Sequence, residues 1–348
     1  MKKVIIILFI LIPAVIASIV FIKPDTAVSD NENRSLETRS GISHDVFGGG
    51  FQDGLEKLLS DQLPYREALI TLKSDFDYAL GKREIGGAYI LGDKRLVQKI
   101  TDTDFSKSAL VSYADTVNKI AETVPTFVMY VPSAEVCLKS SLPDGAPVYD
   151  YEALYGELSL HLENTVLIDL LPSLQGREDA FYKTDHHWNY NGAYLAYEAW
   201  CDARGNTPSS FTEKMVSDGF RGTLYSKALL SGTPYDELII SDENLDLSVN
   251  ADGKEIELFD LSALDTKDKY NVFQGGNHGI VTIENRSQSN GKTLLILKDS
   301  FANSFVPFIV KDYSKIIMLD ERYTFISLGD FVKQSAPDEI AVIREIIN

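Results

Sequence analysis

The chain has 348 residues, enough for one large domain or two of modest size. Hydrophobic residues make up 44% and aromatic residues 10%, which is enough to bury a core and excludes a wholly disordered protein. The formal net charge of −18 repels phosphate backbones, so nucleic acid is not expected as a partner, and solubility accounts for the charge itself.

An apolar run at the N-terminus predicts a membrane anchor. Lys2 and Lys3 precede the charge-free residues 4–22, which as a helix at about 1.5 Å per residue match the hydrocarbon core of a bilayer. Lysines kept on the cytoplasmic side would place the rest of the chain outside the cytoplasm. A cleaved signal peptide is the alternative. We therefore predict that residues 1–24 form a transmembrane anchor or signal peptide, with the C-terminal domain extracytoplasmic at the cell membrane.

Two short segments follow the apolar run. Residues 25–43 are polar, with few apolar side chains, and predict a stalk between the membrane and the folded domain. Residues 44–80 show helical periodicity of their leucines, and Pro64 is expected to divide this segment into two helices.

Beyond residue 80, apolar strands alternate with amphipathic helices. The strands are predicted at 126–131, 165–170, 293–297, 315–319 and 339–343, and the helices at 106–123, 151–162, 192–203, 301–310 and 326–334. Such alternation predicts a largely parallel sheet covered on both faces, which is a three-layer α/β/α domain spanning 81–348. A polar stretch at about 205–290, with weak strand alternation, predicts an inserted lobe.

The two cysteines carry no spacing signal. Cys137 and Cys201 could pair in an oxidising compartment or remain as buried thiols, and both interpretations stay open. Their number and spacing do not match a metal-binding cysteine cluster. We expect neither a structural metal nor a cofactor.

Two adjacent histidines stand in the segment Lys183-Thr184-Asp185-His186-His187-Trp188. In extended backbone, residues i and i+2 project to the same side, so Asp185 can hold one ring nitrogen of His187 and fix its tautomer. His186 would then point away, and Trp188 would form a wall of the pocket. The alternative is a loop that only packs its tryptophan and caps the helix that follows.

Ser300 is the best-placed nucleophile for such a dyad. It follows the apolar run 293–297 and precedes a helix, so it lies at the C-terminal edge of the predicted sheet, where sites form in open α/β folds. The helix N-terminus would stabilise a developing oxyanion. A plain helix N-cap is the alternative role for this serine. Together, Asp185, His187 and Ser300 are the three parts of an acyl-transfer triad.

The block TDHHWNYNGAYLAYEAW resembles the bacterial DHHW family, which is named for the tetrapeptide at 185–188. Similar patches are Glu32-Asn33-Arg34, Asp61-Gln62-Leu63-Pro64 with Arg66, Val131-Pro132-Ser133, Gly222-Thr223-Leu224-Tyr225-Ser226-Lys227 and Lys298-Asp299-Ser300-Phe301. The family in turn resembles the periplasmic alginate O-acetyltransferases, which have an SGNH-hydrolase-like fold. The resemblance therefore implies that fold for residues 81–348.

The resemblance also implies roles for individual residues. Asp185 and His187 would be the acid and base, and Ser300 the nucleophile, with Arg322 and Tyr323 near the site. Lys298 stands where the nucleophile motif usually has a glycine, which would crowd the region of the oxyanion. Candidate donors to the oxyanion or the substrate are Asn303, Gly276 and Asn277.

These features predict an extracytoplasmic serine-dependent O-acetyltransferase or acetylesterase acting on a cell-surface polysaccharide. A membrane-bound acyltransferase would be a suitable source of the acyl group. A non-catalytic carbohydrate-binding or polysaccharide-assembly protein using the same cleft is the first alternative. The second is a metal-dependent hydrolase with Asp185, His186, His187 and His278 as ligands, although adjacent ligands point in different directions and the His-x-x-x-His spacing is missing.

Overall fold

The structure, a computed structural model, describes residues 2–29, 31–32, 34–43, 45 and 47–348, without the side chains of residues 2–8, 10 and 12. Asn33, part of one family-like patch, lies outside the described residues. The chain forms two compact units. The first contains the residues up to Gly86 together with Tyr225–Gly232, and the second contains Gly87–Leu224 together with Thr233–Asn348.

Helices and strands alternate along the second unit in the order that the sequence predicts. The helices are α1 Lys2–Ile22, α2 Gly50–Asp61, α3 Arg66–Ala79, α4 Lys107–Ala121, α5 Ala134–Cys137, α6 Tyr151–His161, α7 Leu171–Leu174, α8 Tyr190–Ala203, α9 Thr223–Ala228, α10 Phe301–Ile309 and α11 Leu328–Ser335. The strands are β1 Val28–Ser29, β2 Arg34–Ser35, β3 Glu84–Ile85, β4 Ala88–Ile90, β5 Leu96–Gln98, β6 Thr126–Val131, β7 Thr165–Leu167, β8 Glu213–Phe220, β9 Asp236–Ser241, β10 Leu247–Ala251, β11 Lys254–Ile256, β12 Ile280–Asn285, β13 Thr293–Lys298, β14 Lys315–Leu319 and β15 Glu339–Glu345.

A single large sheet organises the second unit. Among the described residues it contains eight strands in the order β11-β10-β12-β14-β13-β15-β6-β7. From β14 to β7 the neighbours are parallel, whereas β12, β10 and β11 extend the sheet in antiparallel fashion. The predicted strands 126–131 and 293–297 therefore share one sheet, as β6 and β13, and the mixed α/β fold with a large central sheet is confirmed.

Helices cover both faces of this sheet. Leu294 and Ile296 of β13 face a core that includes α8 and α10, whereas Leu295 and Leu297 face a second core that includes α4, α6 and α11. Because both faces are buried, the strand can be a continuous apolar run rather than an alternating one. The result is three layers, with the C-terminal ends of the parallel strands gathered at one edge.

The central position of β13 leads to a stability prediction. Leu295 is 0% exposed, and Leu295→Ala should lower the free energy of unfolding by about 2–5 kcal/mol because it leaves a cavity between the sheet and its helices. Leu160→Ala is the matched control, since this side chain on α6 is 85% exposed and should change stability by less than about 0.5 kcal/mol. Urea unfolding of both variants measures the difference, and equal stabilities would contradict the assigned core.

The segment at 205–290, predicted as an inserted lobe, contributes to two sheets. Strands β8 and β9 form a separate antiparallel pair. Strands β10, β11 and β12 belong to the central sheet, where β12 pairs with β14. Their weak alternation in sequence reflects an edge position, where side chains are less completely buried than in β13.

The first unit includes the segments predicted as a stalk and a helical region. Pro64 lies between α2 and α3, as predicted. Residues 25–43 are not a free linker in this structure, because β1 pairs with β2 and Gln62 exchanges hydrogen bonds with the backbone of Thr26. Polar residues in this segment therefore serve as hydrogen-bonding partners within the unit.

The apolar N-terminal run is helical, as α1. Within the described part of the chain, no helix is both long enough and apolar enough to span a membrane. The transmembrane anchor, and the extracytoplasmic location that depends on it, therefore stay predictions.

Candidate active site

Ser300 lies in the turn between β13 and α10, where the adjacent aspartate performs the capping role. Asp299 Oδ1 accepts a hydrogen bond of 2.9 Å from the Phe301 backbone N–H. Ser300 Oγ caps none of the described backbone N–H groups of the helix. The hydroxyl of this half-buried serine is therefore free to interact elsewhere.

The histidine loop brings its ring to this hydroxyl. His187 Nε2 lies 2.7 Å from Ser300 Oγ, and His187 Nδ1 lies 2.6 Å from Asp185 Oδ1. A carboxylate only accepts hydrogen bonds, so Nδ1 carries the proton and Nε2 accepts from the serine hydroxyl. The structure thus brings the three side chains of the predicted triad together, within the distances expected from the sequence.

Asp185 is almost fully enclosed, with both carboxylate oxygens in use. Oδ1 also accepts from the His187 backbone N–H at 3.1 Å, and Oδ2 accepts from the Thr223 N–H and hydroxyl at 2.8 and 3.0 Å. Burial alone would raise the pKa of this carboxyl. The neighbouring imidazoles of His186 and His187 and the hydrogen bonds outweigh burial and hold the pKa far below its ordinary value.

Gly222 explains why Thr223 can come so close. A Cβ at position 222 would overlap the carboxylate of Asp185, so only glycine fits there. Both residues belong to the patch at 222–227 that resembles the DHHW family, for which the sequence suggested no role. Its first two residues form the seat of the buried carboxylate.

Tyr270 is a site residue that the sequence analysis missed. Its ring stacks on His187, with centroids 4.0 Å apart and planes 6° apart, and its hydroxyl donates to the Ser300 carbonyl at 3.1 Å. Burial raises the pKa of this hydroxyl well above its ordinary value, so it stays a hydrogen-bond donor. The tyrosine lies in a short 3₁₀ turn without periodicity, and no local motif marks it.

Trp188 does not wall a substrate pocket, and that prediction is wrong. Its side chain is 0% exposed, and Nε1 donates to the Phe301 carbonyl at 3.1 Å and to Ser304 Oγ at 2.9 Å. The indole therefore ties the histidine loop to the first turn of α10. It holds His187 against Ser300 instead of contacting a ligand.

The other predicted binding residues lie along a second network beside the triad. Asn303 is buried one turn after Ser300, and its Oδ1 accepts from Lys298 Nζ at 2.8 Å. Arg322 donates twice to Asp320, at 2.9 and 2.7 Å, and remains partly exposed. Tyr323 is exposed, and a direct contact of either Arg322 or Tyr323 with the triad is not among the described interactions.

The clustered ligands of the metal alternative have other partners. Donor atoms of Asp185, His186 and His187 lie within 4.8 Å of one another, and this described group does not include His278. Both ring nitrogens of His187 face protein groups, and His186 Nδ1 lies 2.9 Å from Thr223 Oγ1. The arrangement fits an acid–base relay better than a metal centre. Cys137 and Cys201 are buried free thiols, remote from any pairing.

Comparison with known proteins places the chain among proteins of the same fold. The DHHW protein family matches residues 151–319, whereas no curated protein matches the chain. A DHHW family protein from Eubacterium siraeum is similar in structure, with a TM-score of 0.63 and 23% identity over 76% of this chain and 92% of that one. Bacillus cereus PatB1 gives a TM-score of 0.61 and 19% identity over 74% and 96%.

A third similar structure, the O-acetyltransferase domain of Pseudomonas putida AlgJ, has a TM-score of 0.47 and 14% identity over 75% of this chain and 91% of that one, too low to support an argument. The first two likenesses show the fold, in agreement with the predicted fold class. The matched range 151–319 includes the tetrapeptide Asp185-His186-His187-Trp188 and Ser300. The chain therefore belongs to the DHHW protein family.

Proposed function

We propose that the protein is an extracytoplasmic, serine-dependent O-acetyltransferase or acetylesterase that acts on a cell-surface polysaccharide. The observation that carries the proposal is the 2.7 Å hydrogen bond from Ser300 Oγ to His187 Nε2, with Asp185 on the opposite ring nitrogen. A hydroxyl, a base and an orienting carboxylate in line form the arrangement that activates a serine for acyl transfer.

The reaction would proceed in two balanced steps. Ser300 Oγ attacks the carbonyl carbon of an acetyl ester or thioester while its proton passes to His187 Nε2. The bond to the leaving group then breaks, and the leaving oxygen or sulfur takes that proton. In the second step a sugar hydroxyl, or water, gives its proton to His187 and attacks the acetyl-serine. Ser300 Oγ leaves and takes the proton back, which restores the site.

The position of Ser300 supports stabilisation of the charged intermediate. It precedes the first residue of α10, so the positive end of the helix dipole lies where negative charge would develop on the carbonyl oxygen. The ammonium of Lys298, expected from the sequence to crowd this region, is instead engaged by Asn303, Asn277 and Asp320.

The acetyl group and the polysaccharide rest on the sequence resemblance. The motifs at 185–188 and 298–301 resemble those of the periplasmic alginate O-acetyltransferases. The predicted N-terminal anchor would hold the site near a polymer that cannot diffuse, and a membrane-bound acyltransferase would supply the acyl donor.

Sulfonylation of the serine tests the proposal. PatB1 has been solved with a sulfonyl adduct, which makes an aryl sulfonyl fluoride the natural probe. We expect one equivalent to attach to Ser300 Oγ with release of fluoride, located by peptide mass spectrometry, and no attachment in the His187→Ala variant because the hydroxyl loses its base. Labelling elsewhere, or equal labelling without the histidine, would contradict the proposal. An unlabelled protein that still binds an acetylated polysaccharide would identify the carbohydrate-binding alternative.

A further inference from the structure

Lys298, the last residue of β13, has its ammonium buried next to the nucleophile turn. The side chain is 1% exposed, and Nζ lies 2.8 Å from Asn303 Oδ1, 3.3 Å from Asn277 Oδ1 and 3.5 Å from Asp320 Oδ2. An ammonium has three donors and no acceptor, so these three oxygens satisfy it completely.

This purely donating group decides how the two amides are turned. Each asparagine must present its oxygen to Lys298, because its NH2 group would meet another donor. Asn303 then directs Nδ2 to Asn277 Oδ1, at 3.2 Å. The oxygen of Asn277 thus receives two donors, and its own NH2 group is turned away from the network. Asn277 is exposed, so that NH2 group faces the solvent side.

The segment that carries Asn277 runs along the first turn of α10. Tyr270 bonds to the Ser300 carbonyl and stacks on His187, and Gln274 Nε2 donates to the Asn303 carbonyl at 3.2 Å. The exposed Asn277 amide is therefore at the open end of a segment that borders the triad on one side and the nucleophile helix on the other.

We propose that Lys298 is a positioning residue of the reaction: its ammonium fixes the orientation of the Asn303 and Asn277 amides, so that the Asn277 NH2 group is presented to the carbonyl oxygen of an ester held at Ser300. This inference rests on the proposed function. It gives the lysine at the usual glycine position a use, because a glycine could not control the amides.

The charge of Lys298 depends on the groups that face it. Burial lowers the pKa of its ammonium to about 8, while Asp320 from the end of β14 and Asp299 from its own turn raise it and Arg322 lowers it. Below about pH 8 the group is an ammonium that enforces both amide orientations. Above that value the neutral amine can also accept a hydrogen bond, and the amides are free to turn.

A first experiment observes the amides directly. The full-length protein is labelled with [15N]asparagine, and the side-chain NH2 signals of the two residues are assigned with Asn277→Asp and Asn303→Asp. We expect both wild-type signals to shift with a midpoint near pH 8, and the shift to vanish in Lys298→Met. Lys292→Met, which removes an exposed lysine just before β13, should leave the titration unchanged. Signals that ignore Lys298 would overturn the inference.

A second experiment measures turnover of an aryl acetate. Lys298→Met should lower kcat about tenfold to a hundredfold, with KM changed much less, because the lost donor acts on the developing charge. The wild-type decline of kcat above pH 8 should disappear in this variant, a change that a merely structural role would not produce. The variant should fold, since Asp320 keeps Arg322 as its partner.

The outcomes separate the two proposals. Wild-type kcat and an unchanged pH profile in Lys298→Met would overturn the positioning role while the triad stands. Amides that follow Lys298 in a protein whose Ser300 is neither sulfonylated nor able to turn over an ester would support the structural half of the inference. The same result would overturn the proposed function and with it the catalytic half.

Discussion

Ser300→Ala should lower kcat/KM for a small activated ester by about a thousandfold or more, because it removes the atom that forms the acyl-enzyme. His187→Ala should cost about as much, since the serine hydroxyl at 2.7 Å has no other described base. The double variant should be hardly worse than either single one, as expected for residues that act as a unit. Initial rates of acetate release from an aryl acetate measure all three.

His186→Ala is the control for this pair. Its ring lies against His187 with centroids 3.9 Å apart, but its Nδ1 bonds to Thr223 Oγ1 instead of Ser300. The loss of activity should therefore be clearly smaller. Thermal melts of each variant must first match the wild type. Equal activity of Ser300→Ala and wild type would mean that the nucleophile lies elsewhere.

Asp185→Asn should lower kcat by about a thousandfold to ten-thousandfold, because it disturbs the tautomer of His187. In the wild type both carboxylate oxygens receive donors, from His187 on one side and Thr223 on the other. An asparagine must turn its NH2 group toward one of them. Turned toward His187, it forces the ring proton onto Nε2, which then cannot accept the proton of Ser300. Turned toward Thr223, it loses the bonds that hold the loop.

The matched control for this variant is Thr223→Val, which removes one hydroxyl donor to Asp185 but keeps the carboxylate on His187. We expect a loss of activity far smaller than in Asp185→Asn. Histidine 15N ring shifts provide the tautomer readout, with the proton moving from Nδ1 toward Nε2 in the asparagine variant only. Wild-type kcat in Asp185→Asn would reduce the carboxylate to a structural role.

The sequence predicted those parts of the molecule whose causes are local. The strand at 293–297 is a continuous apolar run because helices cover both of its faces, and Asp185 and His187 are two positions apart, so their pairing needs only local backbone. Ser300 could be placed because a strand followed by a helix fixes which edge of the sheet carries the turn.

The remaining parts depend on neighbours that are distant in sequence. Tyr270 stacks on His187 from a short turn without periodicity, and the orientation of the Asn277 amide is set by Lys298. Trp188 was misassigned because a large aromatic residue beside a catalytic motif can line a pocket or anchor a loop. Only the position of α10, which receives its indole hydrogen bonds, decides between these roles.

The order of strands in the central sheet has a consequence for how the protein is made. Strand β15 lies between β13 and β6, yet it follows every other strand of the sheet along the chain. During synthesis or export, β6 and β7 would wait with one open apolar edge, and the strands around β13 with another, until residues 339–345 emerge. Unpaired apolar edges invite aggregation or capture by other chains. Folding from the N-terminus onward is thus blocked for this domain, and a chaperone that shields β6 should raise its yield more than one that acts after release of the whole chain.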